Sequence, residues 1–269
     1  MALRDITLGQ YFPGTSPLHR MDPRTKIVIL VLYIVALFTA RSLLTYGCLL
    51  AALAVTVAVS RVPLKSILRG LKPVVFILIF TALLNVLYTP GEHVLATFWV
   101  FTVTLEGVRT AAFMVLRIMM LITGTFLLTY TTSPILLTDG LERLFSPLKA
   151  LRVPVHELAM MMSIALRFIP TLIEETDKII SAQKARGADF ETGSLIRRAK
   201  ALIPILVPLF VSAFRRADEL ATAMECRCYH GGEGRTRLKI LRYAAIDLAA
   251  FVVGGLLLAG VIVLRRFGL

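Results

Sequence analysis

Long apolar runs broken by short polar or basic turns fill the first 132 positions, at 27–40, 43–60, 73–88 and 108–130, and a further run covers 243–264. A bilayer core about 30 Å thick needs roughly 17–25 mainly apolar residues in a helix, so these runs read as membrane spans. The first has fourteen residues, about 21 Å of helix, and is expected to borrow a turn from each flank, with Arg41 snorkelling outward. The second is rich in small residues, Ala51, Ala52, Ala54 and Ala58, which let membrane helices approach closely. Pro73 is placed as the first residue of the third, where its missing N–H costs nothing. The stretch 94–105 is apolar but only twelve residues long, and reads as a re-entrant or interfacial piece with Trp99 as an interface anchor. Arg109 and Arg117 interrupt the fourth run; an arginine inside a span is costly, and Arg117 is either a functional group or half of a buried ion pair.

After Thr132 the pattern changes for about a hundred residues to apolar and charged positions alternating at helical spacing. Residues 139–144 read as a short amphipathic helix ended by Ser146-Pro147. Pro154 then opens a long one whose apolar face carries Leu158, Met162, Ala165, Ile169, Leu172, Thr176 and Ile180. Pro170 should kink it. Arg186-Gly187 ends it, because glycine tolerates the left-handed conformation that closes a helix. A second long helix over 194–229 carries Leu202, Leu206, Leu209, Phe210, Ala213, Ala217 and Leu220 on one side, with Pro204 and Pro208 bending its first half. In the last span Ala245/Ala249 and Ala250/Gly254 form small-xxx-small pairs, and Asp247 stands alone near a helix end.

The expected fold is all-α: a polytopic membrane protein with about five transmembrane helices and a cytoplasmic region of long amphipathic helices. It divides into 1–132 (an amino-terminal arm and four spans), 133–239 (the amphipathic helices) and 240–269 (the final span). Arg61, Lys65, Arg69 and Lys72 lie between spans with no acid among them, which places that loop in the cytoplasm. Five spans put the two termini on opposite sides, and the Arg265-Arg266 pair runs mildly against this. Making 94–105 a sixth span would turn the whole basic region 143–239 outward, a larger violation of the same rule. Positions 1–26 are polar and interrupted by Pro13, Pro17 and Pro23, without the apolar core of a signal peptide, so the first run is expected to be retained.

Composition agrees: 57% of the 269 residues are hydrophobic, against roughly 45–50% in an average soluble domain. The net charge of +13 is therefore read as the cytoplasmic excess of a membrane protein rather than a nucleic-acid surface, for which no motif is present. Cys48, Cys226 and Cys228 make no disulfide framework, and with His230 they fall short of the four ligands of a closed zinc site. No phosphate-binding loop occurs, so any energy from nucleotide must come from another subunit; no cofactor is expected. His156-Glu157 begins like a zinc-protease motif, but Met160 stands where the second histidine would be. No nucleophile elbow occurs either. The acidic group Glu174, Glu175 and Asp177 reads as a solvated helix face.

The more specific signal is an arginine between small residues at each long helix end, Ala185-Arg186-Gly187 and Cys226-Arg227-Cys228. One reading is dipole complementation, about 0.3–1 kcal/mol each. The other is docking: small neighbours leave the guanidinium accessible, and bidentate pairing with a carboxylate can fix its direction in a groove.

At these residues the sequence resembles the T component, the shared transmembrane subunit, of energy-coupling factor (ECF) transporters, a family marked by two short Ala-Arg-Gly-like motifs on coupling helices. Ala185-Arg186-Gly187 matches the first; Cys226-Arg227-Cys228 keeps the arginine and replaces both neighbours. The stretches 18–26, 223–225 and 229–237 are also similar, and the Gly231–Arg237 run within the last looks more like T components shared among several S components than those dedicated to cobalt or nickel. The resemblance implies a non-catalytic subunit of an importer for a vitamin or other micronutrient in the prokaryotic cytoplasmic membrane. It binds two ABC ATPases through Arg186 and Arg227 and holds a small substrate-binding membrane protein, the S component. Leu158, Met162, Leu172, Leu206 and Phe210 are the expected S-component contacts. The competing readings are a solute-binding permease of a conventional ABC transporter and a membrane enzyme.

Overall fold

The computed structural model describes residues 11–40, 42–91, 93–98, 101–188, 190, 194–232 and 240–266. In chain order these form α1 (Pro17–Arg20), α2 (Pro23–Thr39), α3 (Leu43–Ser60), α4 (Leu64–Tyr88), β1 (Val94–Phe98), β2 (Phe101–Thr104), α5 (Leu105–Thr131), α6 (Pro134–Phe145), a 3-10 stretch (Ser146–Leu151), α7 (Val155–Ala185), α8 (Leu195–Cys226) and α9 (Ala245–Arg266). The fold is the expected all-α polytopic one. Two compact units divide it, one made of Gly9–Gly140 with Leu241–Leu269, the other built on Leu141–Ile240.

The first unit gathers α2, α3, α4, α5 and α9. Ala36, Leu37 and Ala40 of α2, Tyr46 and Leu49 of α3, Ile67 and Leu71 of α4, Met120 and Tyr130 of α5, and Val261 of α9 share one core. Outside that core the helices present large apolar side chains outward, among them Phe76, Ile79, Phe80 and Leu83 on α4 and Leu248, Val252 and Leu256 on α9. Water would not tolerate so continuous an apolar surface, and lipid does. Polar caps mark the helix starts: the Asp22 side chain accepts from the Arg24 N–H at α2, Ser42 and Thr45 form a capping box at α3, and Thr104 accepts from the Gly107 N–H at α5.

Five of the described helices are long and apolar enough to cross a membrane: α3, α4, α5, α7 and α9. The number is the expected one and the membership differs, with α7 included and α2 not. The seventeen residues of α2 reach about 25 Å, and it gained its extra turn only at the amino end, through Asp22 and Pro23. Helix α7 qualifies on a mean hydropathy of 1.3, against at least 2.1 for the other four, and its second half carries Glu174, Glu175, Asp177, Lys178 and Lys184.

Helix α4 corrects a boundary. It begins at Leu64 with Pro63 as N-cap, and Pro73 lies inside it rather than at its start. Lys65, Arg69 and Lys72, expected in a loop, therefore fall at i, i+4 and i+7 as an exposed basic face on its first turns. The stretch after α4 is a two-stranded antiparallel hairpin, with Phe98 opposite Phe101, Thr97 opposite Thr102 and a register irregularity between Val94 and Ala96. Trp99 and Arg41 lie outside the described residues.

Arg117 makes no ion pair among the described residues. Its Nε donates to the Tyr46 hydroxyl at 2.7 Å, and its guanidinium lies 5.5 Å from the Phe38 ring centre. Asp247 is not alone. It is 1% exposed and accepts from the Asp22 N–H at 2.9 Å and the Ala244 N–H at 2.7 Å, joining the start of α9 to the start of α2. Arg24 completes the joint: it donates to Asp22 and to the Leu241 carbonyl, and its guanidinium sits 4.1 Å over the Tyr243 ring.

Two arginine-bearing helix tips as the candidate functional site

In the second unit α7 and α8 pack against each other. Gln183 on α7 bonds to Pro204 on α8, and Glu175 to Ser212 and Arg216, so the number rises on one helix as it falls on the other. The helices run antiparallel where they touch, and their carboxyl ends lead away from one another. From the Glu175–Arg216 ion pair each tip arginine is eleven residues further on, about 16 Å along its own helix.

Proline chemistry explains one of these contacts. Pro208 has no N–H to give the carbonyl of Pro204, which would be left unpaired inside α8. The Gln183 side-chain amide donates to that carbonyl at 3.4 Å. A side chain three residues before Arg186 thus fastens the first tip to the proline-bearing half of α8.

The two tips close with the same backbone bonds. At the first, the Gly187 N–H donates to Lys184 O at 3.0 Å and the Ala188 N–H to Gln183 O at 3.0 Å. At the second, the Cys228 N–H donates to Glu225 O at 2.8 Å and the Tyr229 N–H to Met224 O at 3.1 Å. This is the paired closure of a Schellman motif, with a left-handed residue directly after each arginine. Gly187 has φ 85° and Cys228 φ 54°. Cys226-Arg227-Cys228 is therefore the structural equal of Ala185-Arg186-Gly187 despite its altered neighbours. All six residues are exposed, and neither guanidinium makes an ion pair or side-chain hydrogen bond with any described residue.

The segment after the second tip is also held. Gly232 lies so close to the His156 imidazole that an added Cβ would come within 2.3 Å of it, and His156 Nδ1 bonds to Glu142 at 2.9 Å. No local motif points to this role for His156, since its partners lie fourteen residues before it and far after it. Most of the Gly231–Arg237 run, 233–237, lies outside the described residues.

Of the expected S-component contacts, Leu158, Met162, Leu206 and Phe210 are exposed and Leu172 is half-buried. Helix α8 exposes more apolar surface than the sequence reading chose. Ile203, Val207, Phe210 (60% exposed) and Phe214 (69% exposed) follow one another at helical steps, on a face that also takes in the expected contact Leu206, three residues after Ile203 and four before Phe210. The prolines at 204 and 208 drew attention to bending, and the i, i+4, i+7, i+11 run beside them was the signal available.

An all-α chain with a bundle of membrane-length helices and a helix pair ending in two matched, exposed cationic tips is a multi-pass membrane protein. Comparison with known proteins agrees. The pattern of the CbiQ family, described as cobalt transport protein, matches residues 14–238. An "Energy-coupling factor transporter transmembrane protein EcfT" of Thermosediminibacter oceani is 53% identical over 263 residues, covering 98% of this chain and 99% of the relative. Proteins of the same description from Clostridium kluyveri (55% over 249 residues, 92% of each chain) and Bacillus subtilis (49% over 247 residues, 92% of this chain and 93% of the relative) match as fully. The chain belongs to this family of transmembrane components of energy-coupling factor transporters.

Proposed function

We propose that the chain transmits ATP-driven motion from two ATPase subunits to a substrate-binding S component, with Arg186 and Arg227 as the two points of ATPase contact. The observation that carries the reading is the pair of matched tips: the same Schellman closure, the same exposed arginine with no partner among the described residues, on helices whose carboxyl ends diverge. One partner surface, used twice, suits two copies or two homologues of one ATPase. A guanidinium on an exposed helix end, with no partner among the described residues, suits bidentate pairing with a carboxylate in the ATPase.

ATP binding and hydrolysis belong to those subunits in this reading, and the chain itself is not catalytic. When the ATPases close, they displace the tips relative to one another, and α7 and α8 slide or rotate about their contact at Glu175, Ser212 and Arg216. The S component is gripped by the apolar faces of the pair, at Leu158 and Met162 of α7 and Leu206 and Phe210 of α8, with Leu172 at the edge. To these the exposed run Ile203, Val207 and Phe214 is added. The joint of Asp22, Arg24 and Asp247 keeps the bundle helices α2 and α9 fixed to each other during the motion.

The test is co-purification of the complex from membranes with Arg186→Glu, Arg227→Glu and both. Each single reversal is expected to loosen the ATPases and the double to abolish their retention, together with uptake of the transported micronutrient. Full retention of both ATPases by the double variant overturns the assignment.

A further inference from the structure

A cavity of about 350 Å³ lies inside the bundle unit among α2, α3, α5 and α9, with Met21 and Leu18 at one end. Small residues make room for it: Ala52 on α3, Gly124 on α5, Ala250 and Gly254 on α9. Its lining is almost wholly apolar: the hydroxyls of Thr56 and Thr131 are spent on carbonyls of their own helices, which leaves two polar side chains, both on α2. Lys26, in the first turn, is 8% exposed; its Nζ donates to Thr131 O at 2.9 Å and Thr132 Oγ1 at 3.0 Å, and no carboxylate among the described residues pairs with it. Tyr33, two turns deeper, has a buried hydroxyl with no hydrogen-bond partner among the described residues. An ammonium has three donors, so one of Lys26 remains unspent.

This is a polarity gradient along a membrane helix. The cation stands at the end of α2 that adjoins the basic stretch 20–26, and from there the cavity runs about 10 Å deeper, to Tyr33, between apolar walls. The carboxylates of Asp22 and Asp247 act on Lys26 through space, but among the described residues neither makes an ion pair with it, and its third N–H has no acceptor. A polar solute of vitamin type needs several convergent polar groups to fix it, which these walls lack. A protein partner would need a broad face rather than a narrow slot of this volume. What fits is a molecule with an anionic head at the interface and one alkyl chain leading inward.

We propose that this cavity holds one acyl chain of an anionic phospholipid from the leaflet on the side of the basic stretch, with the lipid phosphate paired to Lys26. The lipid fills space that the small residues of α3, α5 and α9 leave open, and it stitches α2 to α9 through a component that is not protein. This proposal is independent of the ATPase reading, since none of the groups involved belongs to either helix tip.

The test uses the full chain in nanodiscs of phosphatidylcholine doped with a lipid whose acyl chain is photoactivatable, carried on phosphatidylglycerol in one arm and on phosphatidylcholine in the other. Labelled peptides are then mapped. Labelling at Ile29, Tyr33 or Val253 is expected, with about a fivefold preference for phosphatidylglycerol, the factor given by about 1 kcal/mol of attraction to one cation. In Gly254→Leu the new Cβ meets Ile29 at 3.7 Å, an ordinary contact, so the backbone can stay in place while the longer side chain occupies the cavity. That variant is expected to lose the labelling while still co-purifying with its complex. Lys26→Met is expected to keep labelling and lose the headgroup preference; if it does not fold, the two lipid arms and Gly254→Leu decide alone. Equal labelling by both lipids, labelling confined to the outer helix faces, labelling unchanged in Gly254→Leu, or displacement of the label by the transported solute each overturns the proposal.

Discussion

Glu175 on α7 and Arg216 on α8 pair at 2.9 Å, and each stands eleven residues before the arginine at the tip of its own helix. The contact is thus equidistant along the chain from the two ends proposed to be pushed, which is where a pivot belongs. Ser212 adds a hydroxyl to the same carboxylate. Reversing Glu175 to Arg is expected to uncouple ATP hydrolysis from uptake while ATPases still co-purify, because the tips remain intact and the crossing is loosened. The swap Glu175→Arg with Arg216→Glu is expected to recover much of the coupling. The measurement is solute taken up per ATP consumed in proteoliposomes; a reversal that leaves this ratio unchanged removes the pivot from the account.

The left-handed residue after each arginine gives a second, opposed pair of outcomes. Cys228 holds φ 54°, a conformation that costs a residue with a Cβ about 1–2 kcal/mol, whereas Gly187 holds φ 85° without that cost. Cys228→Gly is expected to keep function and raise stability by up to about 1 kcal/mol, since the freer unfolded chain takes back part of the gain. Gly187→Val is expected to distort the first closure and weaken ATPase retention although Arg186 is untouched. Thermal unfolding of the purified complex and co-purification read the two effects.

Helix boundaries set by local chemistry were legible in the sequence. Pro154 is the N-cap of α7, Gly187 closes it, and α3 has the expected bounds, because proline, glycine and serine act on the backbone within a few residues. What escaped was decided by distance or by tolerance. Asp247 and Asp22 are 225 positions apart, and no period or motif links them. Pro73 looked like a helix start, yet Pro63 fills that role and the helix absorbs Pro73 ten residues later. The stretch 94–105 reads as a re-entrant or interfacial piece, and its pairing as two strands was hidden by an almost unbroken apolar run. The matched closure of the two tips could not be read from Cys226-Arg227-Cys228, because a cysteine at a left-handed position is the exception to the rule that finds such positions.

Gln183 offers a test of the proline argument. Gln183→Leu leaves the Pro204 carbonyl without its donor and is expected to cost about 1 kcal/mol, at the low end for a hydrogen bond because the site is exposed. Pro208→Ala restores an N–H within α8 and should make the loss at Gln183 nearly silent. A double-mutant cycle on thermal unfolding measures the coupling, and strict additivity of the two changes would show that Gln183 does not serve that carbonyl.

The joint at the start of α2 and α9 predicts an acid-side weakness. Burial pushes the Asp22 carboxyl up, but hydrogen bonds from the Arg24 guanidinium and backbone N–H, with the charges of Arg24 and Lys26, outweigh it and hold the group below its ordinary value. A carboxyl depressed in the folded state stabilises fully above the unfolded value of about 3.9 and ceases to do so as pH falls through the folded one. Wild type is therefore expected to lose stability on acidification below about pH 4 more steeply than Asp22→Asn, whose amide does not titrate. Asp247→Ala should act at all pH values, since it strips the buried N–H of Asp22 and the part-buried N–H of Ala244 of their acceptor, at about 1–3 kcal/mol. Thermal unfolding in detergent between neutral and acid pH separates the two: parallel curves for wild type and Asp22→Asn would mean that the Asp22 charge contributes nothing to holding α2 against α9.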